Sequence, residues 1–243
     1  MAGSADRRRR DRGDLSADAN DAAAVVLAET AEAAAPLVPE IRLRLADGLT
    51  QAWEATEAAS DGAAQPPPFW AFAWAGGQAL ARLILDYPDL IRGRRVLDFA
   101  SGCGISAVAA AQAGAASVVA SEIDRFAVAA TRLAYALNGF GDDPRAQTAF
   151  RDFVGADDGW DVVLAGDVCY ERPAADRIVD WLRRLARRGA IVLLADPGRR
   201  FAPTDGLEEL AVYATAARPN VESAKTEHTR VWRMLSLPPA SPA

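Results

Sequence analysis

From about residue 93 onward, the chain alternates short apolar runs with longer amphipathic stretches. The apolar runs have the length of strands and read RVLDFA, SVVASE, QTAF, DVVLAGD and AIVLLAD. Helical stretches separate them, around Gly104 to Gln112, Arg125 to Leu137 and Pro173 to Arg187. Strands that alternate with helices favour parallel pairing, because each crossover helix returns the chain to the same edge of the sheet. The pattern predicts an α/β fold with a doubly wound, mostly parallel sheet.

The regions on either side of this alternation have other patterns. The alanine-rich run from Asp21 to about Ala35 predicts a helix, and IRLRLADGLTQAW alternates apolar and charged residues as a half-buried strand does. SDGAAQPPP predicts a loop, and the aromatic run FWAFAWAGG leads into a helix from Gln78 to Tyr87. Towards the end we expect a helix from Gly206 to Ala217, followed by an antiparallel pair formed by NVESAKTEH and RVWRMLSL.

The size and composition of the chain limit the number of domains. The 243 residues, 51% of them hydrophobic, suffice for one packed α/β domain with tails. We expect a disordered tail at 1–20, an extension with helical and aromatic segments at 21–92, the core at 93–237 and a flexible end at 238–243. Aspartates at positions 6, 11, 14 and 18 offset the basic run from Arg7 to Arg10, and no apolar signal core follows it. This predicts a solvated tail rather than a targeting segment, with a basic nucleic-acid arm as the alternative.

Charge, hydropathy and cysteine usage exclude several classes of function. The net charge of −6 argues against nucleic acid or an anionic membrane as the main partner. No apolar run approaches the roughly 20 residues needed to span a bilayer. Cys103 and Cys169 lack metal-ligand spacing, and His228, the only histidine, has no readable Ser-His-Asp context. We therefore expect a soluble, cytoplasmic protein without a metal.

The segment with the most chemical character is the turn after the first strand of the alternation. Gly102 and Gly104 permit close approach of the backbone to a ligand, and the helix that follows directs its free N–H groups the same way. From Gly102 to Ala107 the chain also fits G-x-G-x-x-A, so a dinucleotide-dependent oxidoreductase is one alternative. In a doubly wound sheet, such a turn lies where ligands bind.

Asp98 distinguishes the methyl-donor hypothesis from the dinucleotide hypothesis. A carboxylate directly before the turn would repel a pyrophosphate, which needs positive potential at the helix N-terminus. S-adenosylmethionine has no phosphate and carries an ammonium and a sulfonium, which Asp98 attracts. Glu122 ends the next strand, where a carboxylate can accept two ribose hydroxyls, and Asp124 is the alternative. Asp98, the turn and Glu122 therefore predict an S-adenosylmethionine site.

At this point the sequence resembles a known family. VLDFASGCG is similar to the first motif of class I (seven-stranded, Rossmann-like) methyltransferases. The segments VPEIRL, PPFWAFAWAGGQALARLILD, GDVCYE and LADPGRRF resemble the protein-lysine methyltransferases that act on the β-subunit of electron transfer flavoprotein. One departure is Ala100, which stands where the family pattern D-x-G-x-G-x-G has its first glycine, at a place that contacts the donor.

The resemblance implies roles for further residues. Asp167 to Tyr170 matches an Asp-x-x-Tyr signature of lysine methyltransferases, so Asp167 is expected to orient the lysine amine and Tyr170 to hold or enclose it. Asp152 is expected near the adenine, unless it only caps the next turn. Trp74, together with Trp70, is expected to wall the site, with core packing as the alternative. Arg199 is expected to contact the protein substrate.

Three alternatives to methylation of the flavoprotein β-subunit follow from the sequence. The substrate can be another protein, such as a ribosomal protein, or a small amine. The domain can bind the donor without turnover. The oxidoreductase hypothesis instead predicts NAD binding.

Overall fold

The computed structural model describes residues 21–215 and 227–236. Its main feature is a seven-stranded sheet, which a two-stranded sheet of β1 (Ala31–Ala35) and β2 (Val38–Leu45) precedes in the chain. The strands of the large sheet are β3 (Arg95–Phe99), β4 (Ser117–Glu122), β5 (Ala146–Phe150), β6 (Val162–Gly166), β7 (Ile191–Asp196), β8 (Leu207–Thr215) and β9 (Glu227–Met234). Their order is β5-β4-β3-β6-β7-β9-β8. Strands β3 to β7 are mutually parallel, and β9 lies antiparallel to both β7 and β8. The predicted doubly wound fold with an antiparallel pair near its end is confirmed.

Helices cover both faces of the sheet. They are α3 (Ala75–Asp86), α4 (Ile105–Gln112), α5 (Arg125–Leu137) and α6 (Ala174–Arg188). One buried cluster joins α3 and α4 to the sheet through residues such as Leu80 and Val108, and a second joins α6 to the opposite face around Trp181. Strands that are buried on both faces are continuous apolar runs, which is why the strands of this part of the chain could be predicted from the sequence.

The strand order reverses at β3. The chain runs from β3 outward to β4 and β5, then returns to place β6 on the other side of β3. The carboxyl ends of β3, β4, β6 and β7 therefore meet at one edge of the sheet, and a crevice forms there. Asp98, Glu122 and Asp167 all lie at or next to these ends.

The region before the sheet differs from the sequence prediction. The helix expected from Asp21 to about Ala35 covers only residues 21–29, which form α1, and β1 (Ala31–Ala35) follows it. β1 pairs antiparallel with β2 (Val38–Leu45), so the half-buried strand predicted over IRLRLADGLTQAW is confirmed only at residues 41–45. The end of that run, LTQAW, instead begins an unpredicted helix, α2 (Leu49–Ala58), which precedes the predicted loop. Alanine favours helices, but pairing with the amphipathic β2 overrides that preference.

The end of the chain contains a second correction. The helix expected from Gly206 to Ala217 is wrong over the described residues, since Leu207–Thr215 forms the edge strand β8. The antiparallel partner of β9 is this strand, whereas much of the predicted partner NVESAKTEH lies outside the described residues. The predicted tails at 1–20 and 238–243, and with them the run Arg7 to Arg10, also lie outside. His228 is exposed on β9.

Among the residues described, none of the helices combines the length and the apolar character that crossing a bilayer requires.

Candidate active site

The turn between β3 and α4 adopts an unusual backbone conformation. Ala100, Gly102 and Gly104 all have positive φ, of 55°, 54° and 82°. A Cβ on Gly104 would lie 3.0 Å from Thr131 of α5, so this glycine is required by packing as well as by its φ. Ala100 accepts the left-handed conformation despite its methyl group, at a cost of about 1–2 kcal/mol. The turn is therefore held in shape by its neighbours.

Asp98 is a buried carboxylate that lacks a full set of partners. Its side chain lines the pocket beside the turn, and its Oδ2 atom is buried without a hydrogen-bond partner. Burial, and then the nearby Glu122, raise the pKa of Asp98 to about 8, while the backbone N–H of Ala107 lowers it. An unpaired buried carboxylate oxygen is costly, and a cation beside it relieves that cost.

Glu122 connects the end of β4 to the turn. Its Oε1 accepts a hydrogen bond from the Gly102 N–H at 2.7 Å, and its Oε2 accepts one from the Ile123 N–H at 3.1 Å. Burial raises the pKa of Glu122 to about 7, against the effect of the Gly102 bond. The backbone N–H groups of Ile123 and Asp124 also lower this pKa, and a lone pair that the backbone leaves unused can accept a ligand hydroxyl. Asp124, the alternative, caps α5 instead by accepting the Phe126 N–H at 2.8 Å.

These features fit S-adenosylmethionine. The ammonium and sulfonium of this donor match the unpaired Asp98 oxygen, and its ribose hydroxyls match the free lone pairs of Glu122. Around Gly102 the backbone is open, since an added Cβ would meet only the Phe69 carbonyl oxygen, at 4.0 Å. The local chemistry therefore agrees with the donor predicted from the sequence.

The other predicted donor contacts are placed as follows. Trp74 is half-buried, lines the pocket and donates its indole N–H to the Phe69 carbonyl at 2.8 Å. Trp70 instead is 1% exposed and stacks on Phe126. This position fits core packing, the alternative to a wall of the site. Asp152 is exposed beyond the end of β5, and its side chain accepts the Val154 N–H at 2.8 Å. This bond caps the turn, which is the alternative given above to a contact with the adenine.

Asp167 lines the same pocket as Asp98, at the end of β6. Its Oδ2 accepts the Gly76 N–H at 2.5 Å, and its Oδ1 accepts a bond from Arg199 Nη2 at 2.8 Å. The side chain is 11% exposed, and burial raises its pKa, opposed chiefly by Arg199. Asp167 also has a positive φ of 58°, so the backbone itself turns at this point.

The contact with Gly76 makes Asp167 a cap of α3 from a distant part of the chain. Gly76 lies in the first turn of α3, where backbone N–H groups lack partners within the helix. A Cβ on Gly76 would come within 2.6 Å of Asp167 Oδ2, and one on Gly166 within 2.9 Å of the Gly77 nitrogen. These glycines let α3 approach the strand ends closely enough for the cap.

Tyr170 packs against the aromatic residues that precede α3. The residue is 50% exposed, and its ring lies 5.5 Å from that of Phe69, which in turn lies 5.7 Å from that of Trp74. Burial raises the pKa of Tyr170, so the hydroxyl stays protonated at neutral pH. The three rings form an aromatic border beside Asp167.

Sequence reasoning missed two parts of this arrangement. Arg199, expected to contact substrate, forms an ion pair with Asp167. Asp196, which ends β7, holds the turn that carries Arg199 by accepting the Gly198 and Arg199 N–H groups at 2.7 and 2.5 Å. The run DPGR has the composition of a turn, but only the pairing of β6 with β7 brings it to Asp167.

Comparison with known proteins also indicates a methyltransferase. The family model of ribosomal protein L11 methyltransferase (PrmA) matches residues 82–168. The electron transfer flavoprotein β-subunit lysine methyltransferase of Xenopus laevis is 38% identical over 221 residues, which cover 85% of this chain and 84% of that protein. The Danio rerio protein of the same name is 41% identical over 165 residues, covering 67% of this chain and 62% of that protein.

Among solved structures, a magnesium protoporphyrin IX methyltransferase from Synechocystis aligns with a TM-score of 0.46 and 16% identity, over 65% of this chain and 81% of that one. The Xenopus relative spans both the donor turn and the strand ends that carry Asp167. This chain therefore belongs to the electron transfer flavoprotein β-subunit lysine methyltransferase family and is an S-adenosylmethionine-dependent methyltransferase.

Proposed function

We propose that this protein methylates lysine side chains of the electron transfer flavoprotein β-subunit and that Asp167 and Tyr170 act on the lysine. The observation that carries the proposal is the presence of two buried carboxylates, Asp98 and Asp167, in one pocket at the strand ends. One suits a cationic donor and the other suits an amine acceptor. The substrate follows the names of the Xenopus and Danio relatives.

In this proposal the donor is held by the first half of the pocket. Asp98 attracts its ammonium, Glu122 accepts its ribose hydroxyls, and the turn from Ala100 to Gly104 lets the backbone approach it. Trp74 walls the pocket beside Phe72, and Asp152 lies near the adenine. S-adenosylmethionine supplies an electrophilic methyl group on sulfur, which the lysine nitrogen takes as the C–S bond breaks.

The second half of the pocket receives the lysine. Loss of the proton from a lysine with a pKa near 10.4 costs about 4.6 kcal/mol at pH 7. The aromatic border of Phe69, Trp74 and Tyr170 lowers that cost, because an apolar environment disfavours the ammonium. Asp167 accepts an N–H of the amine and fixes the direction of its lone pair, while Tyr170 shapes the entrance. Positioning of this kind accounts for much of the acceleration of a two-centre reaction.

A second substrate has a specific observation in its favour. The match to the ribosomal protein L11 methyltransferase model covers residues 82–168, including the donor turn and Asp167. Methylation of a ribosomal protein is therefore the competing hypothesis. Both substrates are compatible with a cytoplasmic protein, and the buried Cys103 and Cys169, which form no disulfide, fit a reducing compartment.

The two substrates can be compared directly. The protein is incubated with isotopically labelled donor and equal concentrations of purified electron transfer flavoprotein or ribosomal protein L11, and the products are digested and analysed by mass spectrometry. We expect labelled lysine in the flavoprotein β-subunit only, and at a donor concentration near the parental Kd much less label with Glu122→Ala. Label confined to L11 would overturn the substrate assignment. Donor binding without label on either protein, with whole-cell extract also unlabelled, would instead support a binding module.

A further inference from the structure

Arg199 is fixed against Asp167 by both its side chain and its backbone. Its Nη2 and Nε atoms lie 2.8 and 3.3 Å from the same oxygen, Oδ1 of Asp167. Its backbone N–H is held by Asp196, which is fully buried. The Arg199 side chain is 28% exposed, and its guanidinium carbon lies 6.0 Å from the ring centre of Trp74. A charged group is thus built into the site where the lysine is proposed to react.

We propose that Arg199 is a positioning residue that neutralises Asp167 and thereby makes the site select the uncharged amine of the incoming lysine. The inference rests on the proposed function, since it concerns the acceptor of that same pocket. It assigns to Arg199 an effect on the protonation state of the acceptor, which differs from docking of the protein substrate.

The argument follows from charge balance in the pocket. A buried carboxylate without a partner forms a strong ion pair with an ammonium, which would keep the reactive nitrogen protonated and without a lone pair. With Arg199 on Oδ1, Asp167 already has its positive partner, and a lysine ammonium would meet the guanidinium as a like charge. An amine avoids this repulsion and can still donate an N–H to a remaining lone pair of Asp167.

The step balances without a new acid or base. The lysine ammonium releases its proton to solvent on entering the pocket. Its nitrogen lone pair then forms the N–C bond to the donor methyl, and the electron pair of the broken C–S bond stays on sulfur. Asp167 remains an ionised acceptor throughout, because Arg199 persists as its counter-ion.

Variants of Arg199 test this with a matched control on α6. Arg199→Gln removes the charge, Arg199→Lys retains it, and Arg183→Gln breaks another arginine–aspartate pair, Arg183 with Asp205 at 2.6 Å. For each variant, kcat and KM for the flavoprotein substrate are measured from pH 6.5 to 9.5, with donor affinity by calorimetry and thermal unfolding as checks on folding. The pH profile of kcat reports groups in the enzyme–substrate complex.

We expect Arg199→Gln to lower kcat about tenfold at pH 7.5 and to move the acid limb of the kcat profile up by about one pH unit, because the acceptor then holds its proton more tightly. KM should stay equal or fall, donor affinity should change less than twofold, and Arg199→Lys should keep the parental profile. A uniform loss at every pH, a rise in KM that accounts for the loss, or an equal effect of Arg183→Gln would overturn the proposal.

A second measurement does not depend on which protein is the substrate. n-Butylamine, which mimics the lysine side chain, is titrated into protein saturated with the product S-adenosylhomocysteine at pH 7 and pH 10. The parent should bind it more tightly at pH 10, whereas Arg199→Gln should bind the ammonium at pH 7 about tenfold more tightly than the parent does. If the parent and Arg199→Gln show the same pH dependence of butylamine binding, the role of Arg199 is refuted, whether or not the flavoprotein is methylated. A flavoprotein that stays unmethylated refutes only the proposed function.

Discussion

The raised pKa of Asp98 makes donor binding depend on pH in a way that can be calculated. Without donor, burial and the charge of Glu122 raise this pKa to about 8. At pH 7 about 0.9 of the Asp98 carboxyls are then protonated. A donor that brings an ammonium and a sulfonium beside Asp98 favours the ionised form, so binding must expel this proton. By linkage, donor affinity rises with pH, by about ninefold between pH 6 and pH 7 for this one group.

Calorimetry measures the expelled proton directly. Donor binding at pH 7 is recorded in two buffers that differ in ionisation enthalpy, which gives the number of protons released per donor. Asp98→Asn has no proton to release at this site, so we expect it to release about 0.9 proton fewer than the parent and to bind more weakly. Asp176→Asn, which alters an exposed carboxylate paired with Arg172 on α6, serves as the control and should match the parent.

The comparison between variants cancels protons that come from groups remote from Asp98, and a matching titration of Glu122→Gln measures the contribution of the neighbouring Glu122. If Asp98→Asn releases as many protons as the parent, Asp98 does not meet the cationic part of the donor. The same holds if donor affinity is independent of pH between 6 and 7. Either result would require another group to recognise the ammonium.

Three further outcomes follow from the geometry. Glu122→Ala should weaken donor binding by about 1.5–3 kcal/mol, or roughly 10- to 150-fold by calorimetry, and an affinity within twofold of the parent would exclude contact with the ribose. Ala100→Gly relieves the strain of the left-handed φ but makes the unfolded chain more flexible. We expect the free energy of unfolding to rise by roughly 0.5–1 kcal/mol and the melting temperature by about 1–4 °C. A lower melting temperature would show that Ala100 is not strained. Asp167→Asn removes the charge that pairs with the partly exposed Arg199, so we expect the free energy of unfolding to fall by about 2 kcal/mol and the melting temperature to fall by about 4–8 °C. Donor affinity, measured by calorimetry, should not change. Abolished donor binding would place Asp167 in the donor site.

The central part of the fold could be predicted because its signals are local. Strands such as Ser117–Glu122 and helices such as Arg125–Leu137 have the predicted bounds, since buried parallel strands are continuous apolar runs between amphipathic helices. The choice of a methyltransferase over an NAD-dependent oxidoreductase rested on Asp98 and is confirmed by the relatives. Both conclusions needed only residues close together in the chain.

The errors concern segments whose conformation is set by distant partners. Ala31–Ala35 has the composition of a helix, but it pairs with β2. Leu207–Thr215 also reads as a helix, and its pairing with β9 makes it an edge strand. In the site, the ion pair of Asp167 with Arg199 depends on the register that places Gly166 opposite Ala195, which no local pattern contains.

The cap that Asp167 provides to α3 bears on how small a working fragment of this protein can be. All seven strands of the main sheet lie between Arg95 and Met234, so a fragment beginning at Arg94 contains every strand and the donor turn. It lacks α3, whose buried residues such as Leu80 cover one face of the sheet. It also lacks the Gly76 N–H that holds Asp167 and the wall formed by Trp74. A cut at this boundary would therefore expose the core under α3 and open the pocket beside Asp167, so a working fragment has to include the segment that carries α3.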